Sequence, residues 1–146
     1  LRMILLKVSG AQIGSNSFVH PKVMILNPEN LKIGNNSAIG SNSEIFNYEE
    51  FSIGDNVDIG TQFYINTNNH KIDNPKKHLA YQGTVSKKIE IGSDIWIGAR
   101  VTVLSGVKIS DRTVIGAGAV VTKETESGNI YAGVPAKKIK KLISEK

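Results

Sequence analysis

His70 has a side chain and a position in the sequence that both suggest chemistry. It ends the polar run of residues 66–70, where a regular six-residue pattern stops and a long interruption begins. An imidazole exchanges a proton near neutral pH because its unperturbed pKa is about 6.5. A histidine at the mouth of a loop is also commonly a solvated surface residue, and His20 and His78 fit that interpretation better because neither lies at such a boundary. The sequence pattern leaves both interpretations of His70 open.

The composition excludes several kinds of site. The chain has 146 residues and no cysteine, which rules out a disulfide scaffold, a thiolate metal site and a cysteine nucleophile. The net charge is +5, with basic residues near the C terminus and at Lys76, Lys77, Lys87 and Lys88. No helix-turn-helix, finger or basic–aromatic pattern accompanies them, so we predict no nucleic-acid partner. Binding of a small anionic molecule is the better interpretation of this charge.

No apolar run approaches the roughly 20 residues that a membrane helix needs, and residues 1–7 are too few for a signal peptide. We therefore predict no membrane insertion and a cytoplasmic location. Because the chain begins with Leu1 rather than Met, we expect that a preceding segment is missing.

The stretch of residues 89–121 predicts the fold that positions these groups. An aliphatic residue returns every sixth position, which fits neither a helix nor a half-buried strand and is typical of a parallel β-helix. Three units close one triangular coil of about 18 residues, and successive coils stack about 4.8 Å apart. We predict that Gly92, Gly98 and Gly116 form corners, where a side chain is unwelcome and unusual backbone angles are easiest for glycine. The inward positions are Ile91, Ile97, Val103, Ile109, Ile115 and Val121, with small or branched Val101, Val107, Thr113 and Ala119 midway between.

The same register begins well before residue 89. It gives roughly five coils, enough for a stable stack. Residues 71–88 interrupt it with Pro75, Gly83 and charges, so we predict an external loop there. The register resumes beyond that loop, which indicates a single domain over residues 1–146. The earlier inward positions are Ile13, Val19, Ile25, Ile33, Ile39, Ile45, Ile53, Ile59 and Ile65.

Several motifs resemble those of one enzyme family. The stretches IGSDIWIGARVTVLSGVKI, VIGAGAVVTK and YAGVPAKKIKK, with a histidine before an external loop, are similar to the hexapeptide-repeat acyltransferases, in particular the galactoside, maltose and xenobiotic O-acetyltransferases and their polysaccharide-acetylating relatives. The resemblance implies an all-β, left-handed parallel β-helix that assembles as a homotrimer with active sites between subunits. It implies acetyl-CoA as co-substrate, a sugar or polysaccharide-precursor hydroxyl as acceptor, and no metal.

The resemblance also assigns catalytic roles. His70 matches the general base that takes the proton of the acceptor hydroxyl as it attacks the thioester directly, without a covalent enzyme intermediate. The backbone N–H of Ala99, just after IWIG, matches the donor to the oxyanion and lies in the coenzyme site. Trp96 matches a position beside the pantetheine arm, although an outward-facing tryptophan at a subunit seam is an equal alternative.

Further resemblance concerns the coenzyme. Ala117 and Thr122 match positions lining its groove, and Lys137 and Lys140 match basic positions near its phosphates. These lysines are predicted on a short basic helix over residues 135–145, which Pro135 would begin. The neighbouring Lys138 and Lys141 are predicted to face solvent.

The acceptor side departs from the family pattern. Galactoside-acetylating relatives have a small-residue–proline turn and an arginine after the histidine, whereas this chain has HKIDNPKKH, so a different acceptor is expected. They also begin with a helical N-terminal extension that is absent from this sequence, for which a truncated chain and a shorter, polysaccharide-type enzyme are the two explanations. Candidate acceptor-binding residues are Asn47, Tyr48, Glu49 and Asn68.

Two other function classes stay open from the sequence. One is an N-acetyltransferase acting on an amino sugar, including a nucleotide-linked one, although such enzymes usually carry a second domain. The other is a non-catalytic or metal-dependent β-helix, which would need three converging histidines, and the three present lack that family's spacing.

Overall fold

In a computed structural model, which describes residues 1–143, most strands wind into a solenoid with three parallel faces. Strands are numbered in chain order. Face A contains β1 (Gln12–Ile13), β4 (Leu31–Ile33), β7 (Phe51–Ile53), β12 (Ile89–Ile91) and β15 (Lys108–Ile109). Face B contains β2 (Phe18–Val19), β5 (Ala38–Ile39), β8 (Val57–Ile59), β13 (Ile95–Ile97), β16 (Val114–Ile115), β18 (Asn129–Ala132) and β19 (Lys137–Lys141). Face C contains β3 (Met24–Ile25), β6 (Glu44–Phe46), β9 (Tyr64–Asn66), β14 (Thr102–Val103) and β17 (Val120–Val121).

The hexapeptide register is confirmed by burial. Each predicted inward aliphatic residue from Val19 to Val121 is buried except Ile25, which, like Ile13, is half-buried in the first coil. Equivalent residues pair coil to coil, as Ile53 does with Ile91 and Ile91 with Ile109. The small midway positions Val101, Thr113 and Ala119 are fully buried as well. The fold is therefore a parallel β-solenoid, with a core of stacked aliphatic rungs.

Of the two reasons predicted for glycine at the corners, lack of space for a side chain and unusual backbone angles, the structure supports the first. A Cβ on Gly98 would lie 2.6 Å from the backbone nitrogen of Ala117, so close stacking of coils excludes a side chain. Their predicted unusual backbone angles are wrong: the left-handed residues lie two positions later, at Asp94 (φ 58°), Arg100 (φ 58°) and Gly118 (φ 72°). The corner turns at those later residues, and the glycine before them only has to let the next coil approach.

The predicted external loop is a β-hairpin over most of its length. Strand β10 (Asn68–His70) pairs antiparallel with β11 (Thr84–Ser86), and a short 3₁₀ turn, Leu79–Tyr81, lies near the tip. Residues 68–88 are called the external hairpin below. It leaves the solenoid between β9 of face C and β12 of face A, so the insertion is anchored at both ends to adjacent coils.

The predicted C-terminal helix is wrong over residues 137–141. These residues form β19, antiparallel to β18, and the Lys138 ammonium donates to Glu126 at 2.6 Å. A short isolated helix is marginal in water, whereas the unpaired edge of β18 offers a ready ladder of N–H and C=O groups. Residues 144–145, also assigned to that helix, lie outside the described part of the chain.

One α-helix, α1 (Arg2–Val8), was not predicted. It lies at the first coil, where Met3 and Leu6 pack against the core and the Arg2 guanidinium donates to the Val23 carbonyl at 2.6 Å. A second 3₁₀ turn, Pro28–Asn30, joins the first two coils. Over residues 1–143, helices long and apolar enough to cross a bilayer are absent.

Candidate active site

The outward side chains differ between the three faces. Face A presents polar groups to solvent, including Lys32, which pairs with Glu50 at 2.5 Å. Face B presents the apolar side chains of Phe18 and Trp96. Face C presents Met24 and the half-buried Tyr64. Exposed apolar side chains on two adjoining faces are what an association surface requires. The outward rows are Gln12, Lys32, Ser52, Glu90 and Lys108 on face A, Phe18, Ala38, Asp58, Trp96, Val114 and Ile130 on face B, and Met24, Glu44, Tyr64, Thr102 and Val120 on face C.

The edge between faces A and B, called the A/B edge, is closed by side chains. At each coil the backbone N–H that follows the corner glycine donates to a side-chain oxygen of the next coil. The acceptors of Ser15, Asn35, Asp55 and Ser93 N–H are Asn35 Oδ1 (2.8 Å), Asp55 Oδ1 (2.5 Å), Ser93 Oγ (3.0 Å) and Asp111 Oδ1 (2.8 Å). No donor at these positions is left for a ligand.

The edge between faces B and C, called the B/C edge, is open. Within residues 1–143 the equivalent N–H groups of Ala99 and Ala117 have no acceptor, and those of Ser41 and Thr61 share this state. Gly98 stacks directly below Ala117, so the Ala99 and Ala117 donors lie one coil apart, about 4.8 Å. Two aligned donors beside a low wall of Gly and Ala suit a ligand carbonyl or a developing oxyanion.

Trp96 lies on face B, two residues before the corner glycine of the B/C edge. A groove of about 430 Å³ lies on the other side of Trp96, towards the A/B edge, where Asp94 and Arg112 line it. The Trp96 side chain is 58% exposed between two buried isoleucines. One ladder row runs from Trp96 through Val114 and Ile130 to Lys140. Three strand spacings separate Trp96 from Lys140, which is about 14 Å. The groove and this row form a continuous track along face B.

The two predicted phosphate lysines share a face although the helix prediction fails. Lys137 lies opposite Ala132 and Lys140 opposite Ile130, and a β-bulge between them keeps both on the outward side. Lys138 lies opposite Tyr131 and pairs with Glu126, which makes it an ion-pair residue rather than a free solvent group. That hydrogen bond lowers the pKa of Glu126 and raises the pKa of Lys138. The pair fixes β19 at the end of face B.

Thr122 lies elsewhere. It is exposed and follows β17, on the far side of face C from Ala117. In one chain it is therefore separated from the open donors by the width of a face.

His70 lies on the edge between faces C and A, called the C/A edge, which is opposite face B. Its side chain is exposed, and it pairs across the external hairpin with Thr84. Asn68 and Ser86 lie on the same side of the hairpin and are linked by a hydrogen bond of 3.2 Å from the Ser86 hydroxyl. An imidazole is thus presented among hydroxyl and amide groups.

Thr67 anchors the base of this hairpin. Its buried Oγ1 accepts the N–H of Glu49 at 2.9 Å, and its carbonyl accepts both the N–H of Lys87 at 2.9 Å and the hydroxyl of Ser105 at 2.6 Å. The sequence prediction missed Thr67 and Ser105. Their signal was the recurrence of a polar residue two places after an inward one at this edge: Asn27, Asn47, Thr67 and Ser105.

The candidate acceptor residues do not act alike. The prediction for Asn47 is wrong, because its side chain is completely buried and joins the backbone of Asn27 through both Oδ1 (3.1 Å) and Nδ2 (2.6 Å). Tyr48, which is 50% exposed, and Glu49 remain accessible beside it. Asn68 lies on the His70 side of the hairpin, so these residues stay candidates.

The three histidines lie apart. His20 contacts Phe18 edge-to-face in the first coil, and His78 contacts Tyr81 in the external hairpin. Across residues 1–143 no group of three or more His, Cys, Asp or Glu side chains is arranged to hold a metal.

One chain does not bring the predicted catalytic groups together. His70 projects from the C/A edge, whereas Trp96 and the Ala99 N–H lie on face B and the B/C edge. Because the C/A edge is opposite face B in a three-sided solenoid, the core separates the imidazole from Trp96. A site that uses both groups needs a second copy of the chain.

Comparison with known proteins identifies the family. Residues 88–123 match the family described as bacterial transferase hexapeptide (six repeats), and residues 30–66 match the hexapeptide repeat of succinyl-transferase. The fold superimposes on a galactoside acetyltransferase in complex with coenzyme A, with a TM-score of 0.88 and 35% identity over 97% of this chain and 70% of that one. The chain therefore belongs to the hexapeptide-repeat acetyltransferase family.

Other relatives agree with this assignment. A hexapeptide-repeat acetyltransferase from Vibrio cholerae, in complex with acetyl-coenzyme A, superimposes with a TM-score of 0.90 and 29% identity over 98% of this chain and 77% of that one. The galactoside O-acetyltransferase of Escherichia coli K12 is 44% identical over 54 residues, 37% of this chain and 27% of that protein. A probable macrolide acetyltransferase of Lysinibacillus sphaericus is 47% identical over 55 residues, 38% of this chain and 31% of that protein. The aligned stretches thus span about a third or less of these two curated relatives.

Proposed function

We propose that this protein is an acetyl-CoA-dependent O-acetyltransferase that acetylates a hydroxyl of a sugar or polysaccharide precursor. The observation that carries the proposal is the open B/C edge, where the N–H of Ala99 has no acceptor within residues 1–143 and the exposed Trp96 lies three residues before it on face B. Membership in an acetyltransferase family, with relatives that bind acetyl-coenzyme A or coenzyme A, supports the choice of donor.

In this proposal the active site lies between neighbouring copies in a homotrimer. The apolar residues in the outward rows of faces B and C support such packing, and the opposite placement of His70 and Trp96 in one chain supports a site shared between copies. Oligomers of one chain are most often symmetric, so each seam would be equivalent. The external hairpin of one copy would bring His70 to the B/C edge of the next.

His70 acts as the general base in the proposed reaction. Its imidazole takes the proton of the acceptor hydroxyl as that oxygen attacks the thioester carbonyl carbon. The N–H of Ala99 donates to the oxyanion that forms. The carbon–sulfur bond then breaks, the imidazolium returns the proton to the leaving thiolate, and the products are an acetyl ester and coenzyme A. This sequence of steps needs neither a covalent enzyme intermediate nor a metal.

The remaining candidates would hold the coenzyme. Trp96 would pack against the pantetheine arm, the N–H of Ala117 would bind one of its carbonyl groups, and Thr122 of the neighbouring copy would complete the groove. Lys137 and Lys140 would face its phosphates at the end of face B, because both lie on the outward side of β19. The acceptor would meet Tyr48, Glu49 and Asn68 near the hairpin.

The experiment compares the wild type with His70→Ala. Both are incubated with acetyl-CoA and a panel of neutral, acidic and amino sugars, and coenzyme A release and acetylated product are measured by thiol assay and mass spectrometry. We expect ester formation by the wild type and a loss of about 10²–10⁴ in rate for the variant. Light scattering checks that both form trimers.

The outcomes separate the alternatives. Retained activity in a trimeric His70→Ala variant would contradict the general-base role. Amide products from amino sugars in place of esters would show an N-acetyltransferase. A well-folded wild type that binds no acetyl-CoA by calorimetry would overturn the transferase function.

A further inference from the structure

The external hairpin carries most of the net charge of the chain. Its 21 residues include five lysines, Lys71, Lys76, Lys77, Lys87 and Lys88, and one acidic residue, Asp73. Its net charge is therefore +4, against +5 for the whole chain, so the remainder is nearly neutral. The positive charge is therefore concentrated on the segment that carries His70, where it acts on any molecule that binds near the imidazole.

Most of these lysines are not compensated by carboxylates. Within residues 1–143, the only hairpin lysine in an ion pair is Lys88, whose ammonium lies 3.1 Å from Glu90. The aliphatic stem of Lys87 lies against the corner at Gly106, where an added Cβ would be 3.0 Å from its Cδ. Lys71 is the next residue after His70. The positive field at the hairpin is thus available to a ligand.

The side of the hairpin that bears His70 is polar. His70, Thr84, Asn68 and Ser86 form two cross-strand pairs on one side, and Asn68 Oδ1 is already bonded to Ser86. The Asn68 amide N–H groups and both hydroxyl groups are suited to sugar hydroxyls. A polar surface with excess positive charge favours an anionic ligand, whereas a polar surface without that charge does not.

The coenzyme does not account for this charge within the chain. Lys137 and Lys140, the lysines proposed for its phosphates, lie on β19 of face B, whereas the external hairpin leaves from the opposite C/A edge. Within one chain the basic groups thus form two separate sets, one on β19 and one on the external hairpin.

We propose that the acceptor is an anionic saccharide, one that carries a carboxylate or a phosphate group close to the hydroxyl that is acetylated. This inference rests on the proposed function, because it requires that the acceptor meets His70. The hairpin lysines raise the local concentration of the anion and orient it, while the polar side of the hairpin binds its hydroxyl groups.

The first test is a matched acceptor panel at low ionic strength. It comprises the methyl glycosides of glucose and galactose, the corresponding uronides, and the hexose 1-phosphates, each with acetyl-CoA at saturation. We expect kcat/KM for at least one anionic series to exceed that of the neutral sugars by about tenfold or more. Carboxylate and phosphate are distinguished by which series is preferred. The advantage should shrink when the salt concentration is raised to about 0.5 M, because screening weakens exposed charges.

The second test locates that preference. Lys71→Gln/Lys87→Gln and Lys76→Gln/Lys77→Gln keep most of each side-chain stem and remove two charges each. Lys7→Gln/Lys108→Gln is the matched control, because both of its lysines are exposed, lie outside the hairpin and form no ion pair within residues 1–143. We expect at least one hairpin variant to lose about fivefold or more of kcat/KM for the anionic acceptor, with neutral-sugar activity and KM for acetyl-CoA unchanged. The control should behave as the wild type.

The outcomes are distinct. If neutral sugars are acetylated as well as anionic ones, or if the hairpin variants change KM for acetyl-CoA instead, the inference is wrong and the transferase function stands. If the control loses as much as the hairpin variants, the hairpin has no special role and the inference is also wrong. If no acceptor is acetylated, the proposed function itself fails, and the inference fails with it.

Discussion

The A/B and B/C edges of the solenoid are built from the same six-residue unit, yet they leave their backbone donors in opposite states. At the A/B edge each N–H after the corner glycine is closed by an oxygen of the next coil, as Ser93 is by Asp111 at 2.8 Å. At the B/C edge the equivalent N–H of Ala99 lies below Ala117, which has no side-chain oxygen. Within residues 1–143 this donor is therefore paired along the A/B edge and unpaired along the B/C edge, even at Ser41, although Thr61 one coil above it has a hydroxyl.

This difference shows why an alanine can matter in a candidate site. Ala117 is 18 residues after Ala99, as Asp111 is 18 residues after Ser93, so the two pairs occupy equivalent places on different edges. A hydrogen bond to the N–H avoids the free-energy penalty of an unpaired polar group. An N–H without an acceptor can instead donate to negative charge that develops during a reaction. Substitutions that exchange the states of the two edges should therefore have different effects on catalysis and on stability.

Ala117→Asn should close the open edge. Its Oδ1 is expected to accept the Ala99 N–H, as Asn35 Oδ1 accepts that of Ser15 at 2.8 Å. The proposed oxyanion donor would be occupied, so kcat should fall by about 10²–10³ while the melting temperature is unchanged or slightly raised. Ala117→Val is the matched control, because it adds a comparable volume without an acceptor. Equal losses of kcat in both variants would show that bulk, rather than the N–H, is responsible.

Mixing the inactive variants tests whether the site lies between copies. Trimers assembled from Ala117→Asn and His70→Ala chains in equal amounts contain seams with one intact contribution from each chain. Random assembly should restore about a quarter of the wild-type rate. Activity no greater than that of the two parents would place both groups of a site in one chain.

Gly98→Ala should destabilise the B/C edge directly. The new Cβ would lie 2.6 Å from the Ala117 nitrogen and 2.8 Å from its Cα, both backbone atoms, so the coils must move apart. We expect a loss of about 1–3 kcal/mol in the free energy of unfolding, measured by urea denaturation. Gly116→Ala is the milder comparison, because its nearest contact is the Ala132 side chain at 3.0 Å. A larger loss at residue 116 would contradict this account of stacking.

Asp111→Ala should open the closed edge. The substitution removes the acceptor of the Ser93 N–H. Because this hydrogen bond is exposed, water can replace the lost acceptor in part. The free energy of unfolding should fall by about 0.5–1.5 kcal/mol, seen as a lower urea midpoint. Acetyl transfer should be unchanged, because this edge carries no proposed site residue. A loss of activity in a stable variant would show that the two edges are not functionally distinct.

The smallest effect is expected where the A/B edge ends, at the Glu126–Lys138 ion pair. Because the Lys138 ammonium lowers the pKa of Glu126, the pair stabilises the fold above the ordinary carboxyl pKa, and this contribution is lost as pH falls through the lowered value. Glu126→Gln should therefore lower the melting temperature slightly at about pH 7, and this difference should diminish as the pH falls below the ordinary carboxyl pKa. A difference that persists unchanged in acid would exclude the ion pair as its cause.

Sequence reasoning predicted the solenoid well because each rung of its core is specified by its own hexapeptide. Ile53, Ile91 and Ile109 form one stack, and each could be assigned from its register alone. The prediction for Asn47 was wrong because a polar residue in an irregular unit can point either towards a bound acceptor or into the protein. Only the hydrogen bonds of Asn47 to Asn27 show that its side chain points into the protein. Sequence reasoning also missed Thr67, since its function as an anchor depends on Lys87 and Ser105, which lie in other coils.

The sequence by itself determined the period, the inward positions, the place of the external loop and the family resemblance. These features are local, because a six-residue unit defines one strand and one corner whatever precedes it. The tertiary structure alone decided that residues 137–141 form a strand, because the free edge of β18 competes with a marginal helix. It alone decided which backbone donors stay open and that His70 lies opposite Trp96. The first depends on hydrogen bonds between coils that the spacing alone does not specify. The second depends on the edge from which the external hairpin leaves the solenoid.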